Sequence, residues 1–543
     1  MKMILKYKYL LLGLISFLLP LLFLPWRGWF LLNDSYVYYW NVQHFFSNGF
    51  VLHPLTSPTS LFPTFLGSLL ITLWDSPSAL RLLSYTLSFL TIIFFFKILR
   101  LFHISETLSF VLSLLFFFNP LFFNLSLSFM TEPYFYFPLL ASLYFYLSFL
   151  KEYKIKISFL YLAVLFLILS FLSRQVAIFV LPVYFLMDLK NKKINKKTFI
   201  PYLLFFSLLL WYQFLYIKPL AYTQGSIVKT FLLLRDIKYV KELIYRFFYI
   251  FYYVGIFTFP LTFAYFFTLL VNRTLTKKFL LLLFLFGAFF LSLSLFFWFK
   301  ERTLMFYLPN MLSYAGFLPQ SLNFGIKQTL FVNSPVRIRA FITLVSIFSV
   351  SIYFSVLFQR LQENKKLLVK NKMLVLFLIT LFMLSPTIIF RDFFDRYLIV
   401  IIPFVLLYFS LIAKKPTIIK LPLLYFFVFL FCSWSLIWEY DYLSLNKFAW
   451  EYPSKNNFSS KEFRSTFEYN LYPLLDGISS INDPSVLNRE TWEPPLSQYK
   501  YFLSYSDVIK YCPKIDNLYY TTPLSRGFKG PLKILVICDA KNN

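Results

Sequence analysis

The sequence has few of the residues that build metal sites. Its 543 residues include three cysteines and three histidines, which lie far apart along the chain. Zinc and related metals need several such ligands at short, characteristic spacings. The sequence therefore indicates no metal site, and no cofactor is expected to be required. Whether a divalent cation assists the protein is left open at this point.

Charged residues are also scarce. They make up 14% of the chain, against about 25% in soluble domains, while 59% of the residues are hydrophobic. Apolar runs of roughly 17 to 25 residues are long enough to cross a bilayer core, and about thirteen such runs occur. The sequence thus predicts an all-α polytopic membrane protein. Residues 61–74 are apolar but too few to cross, and they predict a helix lying at the interface.

The distribution of basic residues predicts the orientation of the helices. Short loops on one side, such as 190–197 and 273–278, are rich in lysine and arginine, which favours the cytoplasmic side. Trp26, Trp74 and Trp211 fall at the opposite helix ends, where tryptophan is typical of a membrane interface. We therefore expect a cytoplasmic N-terminus. The net charge of +28 then reflects topology and does not indicate nucleic-acid binding.

Composition divides the chain into two parts. Residues 1–438 form the predicted transmembrane domain, with a first outer loop at 26–77. Residues 439–543 contain no further apolar run and predict a small C-terminal α/β domain outside the membrane, which ends in a strand. A disulfide between Cys512 and Cys538 is one possibility there, because the outer side is oxidising.

Ionisable residues are costly near the bilayer, so their positions are informative. Several lie at predicted outer helix ends. Each also has an explanation that involves no catalysis or binding, as a solvated acid, a helix cap, a topological signal or a surface ion pair. These residues are Asp34 and His53 in the first outer loop, Glu132 in Thr131-Glu132-Pro133, Arg174 in Ser173-Arg174-Gln175, Arg302 beside Glu301, and Asp395, Arg396 and Tyr397 in one short segment.

Taken together, these motifs and the predicted architecture resemble the GT-C glycosyltransferases. The likeness is to the bacterial protein-mannosyltransferase-like and aminoarabinose-transferase-like members, which have about thirteen spans, a first outer loop with interfacial helices and a C-terminal outer domain. It covers nearly the whole chain in architecture but only short motifs in sequence. Asn33 precedes Asp34 where many relatives carry a second acid, which makes a paired-carboxylate version less expected here.

The resemblance implies a function and a site. The protein would transfer a sugar from a polyprenyl-phosphate donor to a hydroxyl of a glycan, lipid or protein acceptor, on the outer face of a bacterial plasma membrane. Asp34 would be the catalytic base, and Arg174, Arg302 and Arg396 would bind the donor phosphate. His53, Glu132, Asp395 and Tyr397 would support them. Single displacement would invert the anomeric configuration.

Two other classes of protein remain as alternatives. A polysaccharide polymerase or ligase is also polytopic, with arginines in its outer loops, but it typically has a large central outer loop. A lipid or solute transporter places polar groups at mid-bilayer depth, often in repeated halves. The sequence shows no such repeat, and its charges lie at helix ends.

Overall fold

The structure is a computed structural model in which helices predominate. It describes residues 2–32, 34–56, 60–151, 157–212, 214, 236–301, 320–323, 326–329, 336–363, 371–389, 395–413, 421–459, 462–465, 467–477, 499–504, 514–520 and 532–539. The α-helices in this part of the chain are α1 Lys2–Phe23, α2 Ser35–His44, α3 Leu61–Ile71, α4 Pro77–Leu101, α5 Glu106–Phe117, α6 Pro120–Ser126, α7 Thr131–Lys151, α8 Ser158–Phe171, α9 Val180–Lys190, α10 Lys196–Trp211, α11 Ile237–Val271, α12 Lys277–Glu301, α13 Val336–Glu363, α14 Asn371–Ile389, α15 Ile402–Ile412, α16 Leu421–Lys455 and α17 Phe467–Leu471.

Six of the described helices are long and apolar enough to cross a membrane, namely α4, α7, α11, α12, α13 and α16. The bent pair α5 and α6 would make a seventh span. Five other apolar segments have only 10–17 residues, including α3, α8 and α15. The protein is thus a helical polytopic membrane protein, and the total of about thirteen spans stays a prediction.

Local sequence signals set where several helices begin. Ser76 and Ser105 cap α4 and α5 by accepting hydrogen bonds from the amides of Ser78 and Leu108. Such caps satisfy amides that the first turn of a helix leaves free. α5 and α6 meet at 70°, because Pro120 cannot continue a helix from the preceding residues. The resulting short helix α6 packs against both α7 and α16.

Polar contacts inside the bundle fix how neighbouring helices pack. The buried Asp188 of α9 accepts hydrogen bonds from the hydroxyls of Tyr146, at 3.0 Å, and Tyr202, at 2.6 Å. These bonds join α7, α9 and α10 around one satisfied carboxylate, which is the usual requirement for burying such a group. Gly255 lets α11 approach α13, since a Cβ at this position would lie 2.3 Å from the carbonyl oxygen of Ser346.

The C-terminal part combines the end of a long helix with a small sheet. α16 runs through residues 438 and 439 without a break, so the predicted domain boundary falls inside it. The described strands are β1 Gln320–Asn323, β2 Ile326–Thr329, β3 Phe463–Arg464, β4 Tyr501–Ser504, β5 Lys514–Tyr520 and β6 Leu532–Asp539. The last four form a sheet of order β3–β4–β6–β5, and earlier in the chain β1 pairs with β2 in a separate hairpin.

β6 covers the segment for which the alternating sequence predicts a terminal strand. It pairs antiparallel with both β4 and β5. Cys512 lies outside the described residues, so the disulfide with Cys538 stays a prediction.

Candidate functional site

A buried arginine holds the start of the segment 26–77, the predicted first outer loop. Arg81 of α4 donates from Nε to the carbonyl oxygen of Trp26 at 2.9 Å, and from its two terminal nitrogens to those of Phe30 and Gly28 at 2.5 and 2.6 Å. Gly28 has a φ of +134°, a conformation that only glycine adopts easily. The three carbonyls are therefore fixed to α4, and this fixes the path of the chain that leads to Asp34.

Asp34 precedes the first residue of α2 but does not cap the helix. Its side chain accepts no capping hydrogen bond, although aspartate at this position commonly does so. Instead, Oδ2 accepts a hydrogen bond from Nη1 of Arg396 at 3.0 Å. The Asp34 side chain is 48% exposed. One carboxylate oxygen thus pairs with a guanidinium, while the group as a whole remains accessible.

A second ion pair joins α7 to the chain after α8. Nη1 of Arg174 lies 3.2 Å from Oε1 of Glu132, whose side chain is fully buried. Ser173 fixes this arrangement, because its hydroxyl donates to the carbonyl oxygen of Tyr134 at 3.0 Å. The turn that carries Arg174 is therefore attached to the first turn of α7, beside Glu132.

The two ion pairs form one cluster around an aromatic ring. The guanidinium carbon of Arg174 lies 5.3 Å from the centre of the Tyr397 ring, and that of Arg396 lies 5.7 Å from it, which are distances typical of cation–π contacts. We refer to Asp34, Glu132, Arg174, Arg396 and Tyr397 as the ion-pair cluster. Its two carboxylates and two guanidiniums balance in charge, and they come from four separate segments of the chain.

Electrostatic coupling extends through the whole cluster. Burial disfavours the charge on Arg174 and Arg396, but the neighbouring carboxylates outweigh this effect and raise the pKa of both guanidiniums above the ordinary value. Burial also raises the pKa of the Tyr38 hydroxyl, and the charges of Asp34 and Glu132 raise it further. Both arginines are therefore cationic and Tyr38 is neutral, and these are the forms that can donate hydrogen bonds.

Two tyrosines at this site were not predicted from the sequence. Tyr38 follows Asp34 by four residues, and Tyr136 follows Glu132 by four. Residues four apart share one face of a helix, so this repeated spacing was the available signal. It was hard to recognise, because the chain contains 40 tyrosines.

The α7 side of the cluster has unused hydrogen-bonding capacity. The Tyr136 hydroxyl is buried and makes no hydrogen bond with any described residue, and neither carboxylate oxygen of Glu132 makes one despite the nearby Arg174. Buried polar groups almost always have partners, and leaving one without a partner costs about 1 to 3 kcal/mol. The arrangement therefore suits a polar ligand that supplies the missing partners.

His53, by contrast, joins the segment 26–77 to the C-terminal part. Its Nδ1 accepts from the amide of Leu55 at 3.2 Å, so Nε2 carries the proton and donates to the carbonyl oxygen of Leu475 at 3.1 Å. Burial lowers the pKa of His53, although Leu475 and Asp476 oppose this shift. Among the described residues, none of these hydrogen bonds reaches the ion-pair cluster.

The remaining predicted site residues are only partly covered by the structure. Arg302 lies outside the described residues. Asp395 begins the 3₁₀ turn Asp395–Val400, which carries Arg396 and Tyr397. Within the described part of the chain, no three histidine, cysteine, aspartate or glutamate side chains come together as a metal site. That no metal is required stays a prediction.

Comparisons with known proteins place the chain in no family. No family model matches it, and no curated protein matches it. Among solved structures, one match is a crystal structure of the oligosaccharyltransferase from Archaeoglobus fulgidus, tethered to an acceptor peptide. It is 12% identical in sequence, with a TM-score of 0.31, and the match covers 74% of this chain and 55% of that one. A TM-score this low establishes neither a shared fold nor a shared activity.

Proposed function

We propose that the protein is a membrane glycosyltransferase that moves a sugar from a polyprenyl-phosphate donor to an acceptor hydroxyl. The reaction would take place at the outer face of a bacterial plasma membrane. The observation that carries this proposal is the meeting of Asp34, Glu132, Arg174 and Arg396 in one partly accessible cluster. Glycosyl transfer from a lipid phosphate needs a base for the acceptor and cations for the leaving phosphate, and the cluster contains both.

Asp34 is the proposed general base. The acceptor hydroxyl would give its proton to the Asp34 carboxylate, which must lie within about 3 Å of the hydroxyl oxygen. As that oxygen forms its bond to the anomeric carbon, the bond from this carbon to the phosphate oxygen breaks. The electron pair leaves with the phosphate, and this single displacement inverts the anomeric configuration.

Arg174 and Arg396 are the proposed phosphate ligands. Guanidinium groups bind phosphate through two parallel hydrogen bonds and stabilise the charge that develops on the leaving group. Both arginines face carboxylates in the structure. The donor phosphate would therefore replace Asp34 as the ion-pair partner of Arg396. Oδ2 of Asp34 would then be available to the acceptor hydroxyl.

The test is a transfer assay with purified protein in proteoliposomes. The protein would be supplied with a panel of polyprenyl-phosphate sugars and with membrane glycans, lipids and peptides as acceptors. Release of polyprenyl phosphate together with glycosylation of an acceptor is the expected result. Movement of a donor across the bilayer without release of polyprenyl phosphate would instead indicate a transporter.

Tyr136 offers a separate test of ligand binding at the cluster. Replacing it with phenylalanine removes a buried hydroxyl that has no partner among the described residues, so the melting temperature should not fall. If a sugar hydroxyl binds there, transfer at limiting donor should fall about 2- to 10-fold, the effect of one lost neutral hydrogen bond. The measurement is kcat/KM beside the melting temperature.

Tyr134→Phe is the matched control on the same helix. Its hydroxyl lies 3.4 Å from the Ser84 hydroxyl and belongs to no ion pair of the cluster. This variant should keep the wild-type kcat/KM. Unchanged kcat/KM in Tyr136→Phe as well would remove the Tyr136 hydroxyl from donor binding.

A further inference from the structure

A cavity of about 220 Å³ lies between α1, α4 and α5. Its lining is mostly apolar, with phenylalanine and isoleucine side chains from α4, Phe17 from α1, and phenylalanine and leucine side chains from α5. Along α4 the cavity extends from Phe89 to Lys97, which is about 12 Å at 1.5 Å per residue. One leaflet of a bilayer has a hydrocarbon depth of about 15 Å, so the cavity matches a single leaflet in length.

The few polar side chains in the lining include two with partners in the protein. The Tyr9 hydroxyl is hydrogen-bonded to the Thr107 hydroxyl at 2.5 Å, and the Ser113 hydroxyl donates to the carbonyl oxygen of Ser109 at 2.8 Å. The α1 side has open space at Gly13, where an added Cβ would meet only the Phe110 ring, at an ordinary contact distance of 3.9 Å. The interior of the cavity therefore suits a hydrocarbon chain.

One end of the cavity carries a cation. Lys97 is exposed, and its Nζ lies 5.1 Å from the centre of the Phe94 ring and 5.6 Å from that of Tyr144. Among the described residues it has no carboxylate within ion-pair distance. A lysine near the end of a membrane helix commonly extends its amine toward the lipid headgroups, where it attracts anionic lipid.

We infer that this cavity is a binding site for one acyl chain of an anionic glycerophospholipid, with the lipid phosphate beside Lys97. The match between an apolar cavity of leaflet depth and the Lys97 amine at its end identifies this occupant. A sugar donor whose phosphate is bound at the ion-pair cluster cannot be the occupant of this cavity. A phosphate beside Lys97 would lie about 24 Å along α4 from Arg81. Arg81 holds the loop that carries Asp34.

Native mass spectrometry of the purified, delipidated full-length protein tests this inference. Phosphatidylglycerol and phosphatidylcholine with identical chains would be added separately. The wild type should retain phosphatidylglycerol about fivefold more than phosphatidylcholine, the factor that one basic residue near a bilayer surface contributes. Lys97→Gln should abolish that preference, and Lys278→Gln, which removes an exposed lysine of α12 outside the cavity lining, should keep it.

A second variant tests the cavity itself. Gly13→Leu would fill it from α1 and should reduce retention of both lipids at least fivefold, while Lys97→Gln changes only the headgroup preference. Equal retention of the two lipids by the wild type would overturn the inference. So would an unchanged preference in Lys97→Gln, or displacement of phosphatidylglycerol by an equimolar amount of polyprenyl phosphate.

Discussion

Replacing Asp34 with asparagine is expected to lower the turnover of sugar transfer by about 100- to 10,000-fold, the usual contribution of a positioned general base. Asparagine keeps the size of the side chain but cannot accept the acceptor's proton. It can still accept a hydrogen bond from Arg396, so the loop and the donor site should remain formed. The measurement is kcat and KM in the proteoliposome assay, and the loss should fall on kcat.

Glu106→Gln is the matched control for this substitution. Glu106 also faces an arginine, since one of its carboxylate oxygens lies 3.8 Å from Arg100, but it begins α5 at the predicted cytoplasmic side. The same change from carboxylate to amide should leave transfer unchanged there. Wild-type turnover in Asp34→Asn would remove Asp34 from the role of base.

Replacing Arg396 with glutamine should produce the second large loss. The guanidinium pairs with Asp34 at 3.0 Å and is mostly buried, so its removal takes away a phosphate ligand and also leaves the carboxylate without its cation. We expect kcat/KM to fall about 100- to 1000-fold, as when one preorganised donor to a developing charge is lost. Arg396→Lys should recover part of this, because lysine restores the charge without the paired geometry.

The double variant Asp34→Asn/Arg396→Gln separates a shared site from two independent ones. Residues that act together show losses that do not add, so the double variant should be little worse than the poorer single variant. Arg100→Gln, the control at the predicted cytoplasmic side, should retain full activity. Full additivity of the two losses, or wild-type kcat/KM in Arg396→Gln, would contradict a common role.

The cost of charge in an apolar chain made the site partly predictable from sequence. Glu132, Arg174 and Arg396 stand out in the sequence because ionisable residues near a bilayer are costly, and the structure brings all three together with Asp34. Which carboxylate faces which guanidinium could not be predicted, because the pairs join residues far apart in sequence. The distant contact of His53 with Leu475 could not be predicted for the same reason.

Hydropathy predicted that the protein is a helical membrane protein, while its total of about thirteen spans stays a prediction. The helices α8, α9 and α15 have 14, 11 and 11 residues, fewer than the roughly 17 to 25 that a span needs. α9 and α15 each follow a short 3₁₀ segment, Gln175–Phe179 and Asp395–Val400, and a hydropathy pattern does not detect such a change in helix type. Residues 61–74, which were predicted to be too few to cross, contain the helix α3 of 11 residues.

The most direct measurement is a cryo-electron microscopy structure of Asp34→Asn with a polyprenyl-phosphate sugar, since loss of the base should trap the donor. We predict the phosphate within hydrogen-bond distance of Arg174 and Arg396, and the anomeric carbon beside the residue 34 side chain. A donor whose phosphate lies away from both arginines, for example beside Lys97, would contradict the assignment of the ion-pair cluster as the place of transfer.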